Sequence, residues 1–155
     1  MRPPLARMLA GGLAVAGLLA VGSASWMIAR GDPNKPDPES PSLVVRGTAV
    51  YAQHCASCHG AKLEGQPDWR KRLPNGRLPA PPHDATGHTW HHSDKQLFDM
   101  TKNGTAGMVP GYETDMPAYK DILGDSDIRA VLSFIESTWP PDIRARQARV
   151  APPKD

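Results

Sequence analysis

From Ser42 onward, apolar side chains recur at helical spacing in three places. Val44, Gly47, Tyr51 and Cys55 lie three or four residues apart, on one face of a helix that Ser42 caps and that runs toward Cys55. Gly47 lowers the helix propensity of that face, and close packing against another backbone would account for it. A second helix begins at Ser93, where Gln96 three residues on completes a capping box, and ends at Asn103-Gly104. Leu97, Phe98 and Met100 give it apolar bulk. The third opens after Asp125 or Ser126. Ile128, Val131, Leu132 and Ile135 follow the i, i+3, i+4, i+7 rule, and Trp139-Pro140-Pro141 stops it.

Between these segments the pattern disappears. Residues 66–92 show neither a helical nor a strand period and contain five prolines. A loop that long in a compact domain has work of its own, such as wrapping the edge of a cofactor. At the N-terminus, Met8 to Ala29 is a run of 22 residues without charge, flanked by Arg2, Arg7 and Arg30. It reads as a membrane anchor or as a signal peptide cleaved near Gly22-Ser23-Ala24. Continuation of the apolar run past that point favours the anchor, and either reading exports the rest of the chain. Residues 31–42, with Pro33, Pro36, Pro38 and Pro41, read as an extended linker without a core. The folded domain is expected over residues 43–140, and residues 141–155, with Arg144, Arg146 and Arg149, as a loosely held basic tail.

Composition sharpens this picture at two points. The 155-residue chain is rich in proline (17) and poor in aromatics, so a core of side chains alone would be small. A net charge of +2 with no basic stripe argues against nucleic acid. The only two cysteines, Cys55 and Cys58, are too close in sequence for a disulfide that closes a useful loop.

Those cysteines open Cys55-Ala56-Ser57-Cys58-His59, the C-x-x-C-H signature of c-type haem attachment. Two thiols one helical turn apart can each bond one haem vinyl group. The following His59 is then carried beneath the iron as proximal ligand. A thioredoxin-like pair would need a βαβ context, and a zinc site would need further ligands. For the second axial position a methionine suits an electron carrier. Met100 reads as core, Met108 lies in a Gly-rich loop, and Met116 precedes Pro117, which biases it to an extended conformation.

Gly47, Tyr51, the Cys55–Gly60 motif, Met116-Pro117 and a last helix with Phe134-Ile135 together resemble the class I cytochrome c family over about residues 43–139. The resemblance implies an all-α fold of three to four helices around one covalent haem c, with crossing N- and C-terminal helices and long loops. It further implies thioethers at Cys55 and Cys58, His59 and Met116 as the iron's ligands, and Gly47 packed on Phe134. A loop carbonyl, from Pro81 or Pro82, would bond the His59 ring. Pro82 and Trp90 are counted among the cofactor contacts, Trp90 as a pocket wall with its N–H on a propionate.

The stretch His83 to His92 departs from a minimal cytochrome c in its length and in carrying His83, His88, His91 and His92. These histidines are expected to bond haem propionates and loop carbonyls, or alternatively to hold a second metal such as copper. His54 is expected on the helix surface. Charge is uneven: Lys62, Arg70, Lys71, Arg72 and Arg77 follow the motif, while Glu113, Asp115, Asp121, Asp125 and Asp127 surround Met116. Such asymmetry could orient a redox partner. The expected function is single-electron transfer by a monomeric, membrane-anchored carrier on the periplasmic side of a bacterial inner membrane, and no enzyme activity is expected. The alternatives are a haem enzyme or sensor with a labile distal ligand and a metal-binding module built on the His-rich loop.

Overall fold

A computed structural model describes residues 32–152. The two readings of the N-terminal segment fall on residues outside that range. Among the described residues no helix is long and apolar enough to cross a membrane.

Six α-helices and no strand are present among the described residues: α1 Pro41–His54, α2 Ala56–His59, α3 Asp94–Asn103, α4 Thr105–Met108, α5 Asp125–Ser137 and α6 Pro141–Gln147. A 3-10 turn, Thr89–His91, lies in the long loop. The three helices expected from periodicity are α1, α3 and α5. Two of the others, α2 and α4, have four residues each, too short to show a period.

Sequence chemistry sets the helix ends. Ser40, not Ser42, is the N-cap of α1, because Pro41 at the first helical position has its φ preset and lacks the N–H that would go unpaired there. Ser93 and Gln96 form the expected capping box of α3, with the Gln96 N–H on Ser93 Oγ at 3.4 Å and the Ser93 N–H on Gln96 Oε1 at 3.1 Å. Gly104 ends that helix.

The core forms where α1 crosses α5. Val50 and Tyr51 from α1 meet Ile128, Val131, Leu132 and Ile135 from α5, with Leu97 and Phe98 of α3 beside them. Gly47 makes this crossing possible. A Cβ there would stand 2.0 Å from the Ala130 carbonyl oxygen and 2.7 Å from Phe134 Cβ. The pairing of Gly47 with Phe134 is as expected. Phe134 also packs on the Tyr51 ring, with centroids 5.4 Å apart.

Two segments expected to lie outside the core are tied to it. Residues 32–40 run along α5 as a strap: Arg129 Nε donates to the Lys35 carbonyl at 2.7 Å, and the Asp37 N–H to Ser133 Oγ at 2.9 Å. Pro36 is buried, and Glu39 pairs with Arg144. An extended proline-rich chain needs no core of its own when a neighbouring helix supplies donors and acceptors for its backbone. The basic tail likewise contains α6, in which Ile143 and Gln147, four residues apart, share one buried face. The arginines around them stay at the surface and mask that face in the composition.

Candidate functional site

The C-x-x-C-H segment sits at a bend between two helices. The Cys55 N–H closes α1 on the Tyr51 carbonyl at 2.9 Å, and the Cys55 backbone then departs from ideal helix at φ −117°, ψ −37°. The chain resumes as α2, with the His59 N–H on the Cys55 carbonyl at 2.9 Å. Cys55 and Cys58 therefore stand one turn apart, not joined to each other, Cys55 half-buried and Cys58 exposed. Two tyrosines fix the bend: Tyr51 donates to the Gly60 carbonyl at 2.9 Å and Tyr119 to the His54 carbonyl at 2.7 Å. Burial, with Cys58 adding, pushes the Cys55 thiol up to about 11. A thiol raised in this way is the opposite of the depressed thiolate of an exchange-active pair.

His59 is buried, and its Nδ1 lies 2.8 Å from the Pro81 carbonyl oxygen. A carbonyl only accepts, so Nδ1 carries the proton and Nε2 the lone pair that a metal requires. Burial lowers the basicity of the ring, partly offset by the Pro81 carbonyl. The carbonyl thus comes from Pro81; Pro82, also counted among the contacts, does not supply it. The Pro82 carbonyl turns to the Thr89 hydroxyl at 3.4 Å and to Gly87, where a Cβ would stand 2.0 Å from that oxygen.

The His-rich loop folds back over this assembly. The His83 ring stacks on His59, with centroids 3.9 Å apart and planes 22° apart. Its Nδ1 lies 2.8 Å from Thr89 Oγ1, and its carbonyl accepts from Trp139 Nε1 at 2.7 Å. Burial, then the neighbouring His59 and His88, holds the His83 ring well below its ordinary pKa. His88 stacks on Trp69 at 5.3 Å, and its Nδ1 is buried without a hydrogen-bond partner. His91 stacks on Trp90 at 3.8 Å. Trp90 packs against the core, and its N–H donates to the Ala85 carbonyl at 3.3 Å, a bond within its own loop. The four histidines mostly meet rings, not carbonyls. No group of three His, Cys, Asp or Glu among the described residues is placed to hold a metal ion. His54 is half-buried, its ring edge-on to Tyr119 at 6.2 Å, which differs from the surface position expected.

Of the three downstream methionines, Met108 is exposed and Met100 packs against the core. Met116 also packs against the core, half-buried, in an irregular segment. Its Sδ lies 3.9 Å from Thr105 Oγ1, and its N–H donates to Thr114 Oγ1 at 3.1 Å. Trp139 and Thr89, which support the loop stacked on His59, escaped the reading by motif. Only the general need of a buried indole for a hydrogen-bond partner pointed toward Trp139.

The chemistry of these donors fits haem c. Two thiols stand one turn apart, the next residue presents an imidazole of fixed tautomer, and a thioether is available on a later loop. The charge clusters are less separate than the sequence suggested, because Arg77 reaches across to pair with Asp115 and, at 3.8 Å, with Glu113.

A family model described as cytochrome c matches residues 44–139. The cbb3-type cytochrome c oxidase subunit FixP of Rhizobium meliloti (strain 1021) is 30% identical over 100 residues, covering 64% of this chain and 29% of FixP. Cytochrome c-555 of Prosthecochloris aestuarii is 30% identical over 91 residues, 55% of this chain and 91% of that protein. The chain thus spans less than a third of FixP's length. No solved structure matches. With the match covering most of the described helices and the attachment motif, the chain belongs to the cytochrome c family, with a class I fold whose cofactor is one covalently bound haem c.

Proposed function

We propose that this protein is an exported one-electron carrier in which Cys55 and Cys58 bond the haem, His59 is the proximal ligand and Met116 the distal one. When bound, the haem supplies a one-electron iron couple. The chain's own residues set the conditions for it. Pro81 holds the proton of His59 at Nδ1 and so aims the Nε2 lone pair. The Met116 thioether would be the second protein ligand to the iron, which would leave no open site for substrate and suits a carrier better than an enzyme. The single observation that carries this reading is the 2.8 Å contact from His59 Nδ1 to the Pro81 carbonyl, which fixes a metal-ready tautomer directly after the two thiols.

The haem-loaded full chain is expected to be low-spin in both oxidation states. Its oxidised spectrum should carry the weak red charge-transfer band of an iron–methionine bond, and Met116→Ala should abolish that band. A high-spin spectrum, or one indifferent to the mutation, would bring forward a haem enzyme or sensor with an open distal site.

Residues 8–29 are proposed to anchor the carrier on the periplasmic side of a bacterial inner membrane, and the mass of membrane-extracted protein tests this. Electron-donor and electron-acceptor proteins are its proposed partners. The likeness to an oxidase subunit makes a terminal oxidase one candidate acceptor.

A further inference from the structure

We propose that His83 is a positioning residue for His59, fixing the plane of the proximal imidazole by a face-to-face stack. This rests on His59 being the proximal ligand. One hydrogen bond in the plane of a ring, such as that from His59 Nδ1 to Pro81, still lets the ring rock about the bond. A second ring against its face removes that freedom. The His83 ring provides such a face at 3.9 Å.

His83 is itself held at several points. Its N–H donates to the Leu63 carbonyl at 2.8 Å, and its carbonyl accepts from Trp139 at 2.7 Å. Its side chain meets the hydroxyl of buried Thr89 at 2.8 Å. The same hydroxyl lies 3.4 Å from the Pro82 carbonyl, so Thr89 ties the His83 ring to the loop backbone. The chain therefore spends a polar side chain and a buried threonine on a position that an aliphatic residue could fill by volume. Packing alone explains the bulk but not this choice of chemistry.

The electronic consequence has a sign. The face of a neutral aromatic ring is electron-rich. Against the proximal imidazole it favours the oxidised, more positive iron, so removing it is expected to raise the reduction potential.

The test uses the haem-loaded full chain as wild type, His83→Leu, His83→Phe and Thr89→Val. Two readouts apply: the hyperfine-shifted haem-methyl proton resonances of the oxidised state, which report the orientation of the axial ligands, and the reduction potential. His83→Leu keeps bulk but loses the ring and the bond, and is expected to reorder the methyl resonances and raise the potential. His83→Phe keeps a ring and should stay close to wild type. Thr89→Val, which loosens the ring without removing it, should fall between. Leu and wild type alike in both readouts, or Phe shifted as far as Leu, would overturn the stack. Should the Leu variant fail to mature, the idea still fails if Thr89→Val matches wild type in both readouts. Absence of hyperfine-shifted proximal imidazole resonances in wild type would instead overturn the ligand assignment, and this inference with it.

Discussion

The His59 and Met116 sides of the site, proximal and distal in the proposed ligation, are built to different standards. On the proximal side, His59 is bonded by Pro81 and stacked by His83, and His83 is held in turn by Thr89, Leu63 and Trp139. Behind that loop, Gln147 on α6 reaches the His92 carbonyl at 3.4 Å and pairs with Asp94. On the distal side, Met116 has a backbone bond to Thr114 and a 3.9 Å contact with Thr105, while the neighbouring Met108 and Val109 are exposed. The contrast follows from the two side chains. An imidazole is a rigid plane with two distinct nitrogens, so its neighbours must choose its tautomer and its rotation. A thioether on an unbranched stalk has several rotatable bonds and adapts to what it meets, so it requires less scaffolding.

The sharpest way to break this comparison is to add one methyl group to each side. In Gly87→Ala the new Cβ would lie 2.0 Å from the Pro82 carbonyl oxygen, which is backbone and cannot step aside. The proximal loop would have to shift, with an expected loss of about 3 kcal/mol. In Gly107→Ala, within α4, the nearest atom would be Asn103 Cβ at 3.8 Å, an ordinary contact. Better helix propensity should leave stability unchanged or raise it by up to about 1 kcal/mol. Urea unfolding of the two haem-loaded variants decides the matter, and equal losses would mean that the sides are equally tight.

The same contrast explains what could be read from the chain beforehand. The α1–α5 crossing was legible because Gly47 lies on a periodic face, and the start of α3 because Ser93 and Gln96 bond within three residues. The C-x-x-C-H turn was legible for the same reason, its spacing being local. The strap, α6 and the Trp139–His83 bond were not. Asp37 and Ser133 are 96 residues apart, and Trp139 and His83 are 56 apart, separations over which a periodicity carries no information. Pro81 and Pro82 are chemically alike, so only the path of the backbone decides which carbonyl faces His59.

Glu136 tests whether the back of the proximal loop helps to hold it. This residue of α5 is buried, one of its carboxylate oxygens has no hydrogen-bond partner, and it lines a surface cavity with Asp94 and Gln147. Burial, with Asp94 adding and Lys35 opposing, raises its pKa from 4.5 to about 8. A carboxyl raised on folding binds more protons in the native than in the unfolded state. Its contribution therefore falls as pH rises from about 4.5 to about 8 and is constant above that. The slope in the middle of the window approaches about 1.4 kcal/mol per pH unit. Glu136→Gln, a neutral mimic of the protonated acid, should remove this component, so the variant gains on wild type through pH 6 and 7. Denaturation of both proteins across that range is the measurement. Parallel curves would mean that Glu136 finds a partner in solution and that this part of the wall carries no buried acid.

The smallest effect is expected where the two sides meet. Arg77, from the loop after the motif, pairs with Asp115 beside Met116 and, at 3.8 Å, with Glu113. All three side chains are exposed, so the pair is screened by salt and contributes at most about 1 kcal/mol to global stability. Its local role is larger in proportion, because the segment before Met116 has few other ties to the rest of the domain. Asp115→Asn should therefore leave the unfolding midpoint nearly unchanged while amide exchange at residues 112–116 becomes faster. High salt should produce the same acceleration in wild type and a smaller one in the variant, which keeps Glu113 near Arg77. A large fall in global stability would show instead that the distal segment unfolds with the core, and the two sides would then differ in geometry but not in firmness.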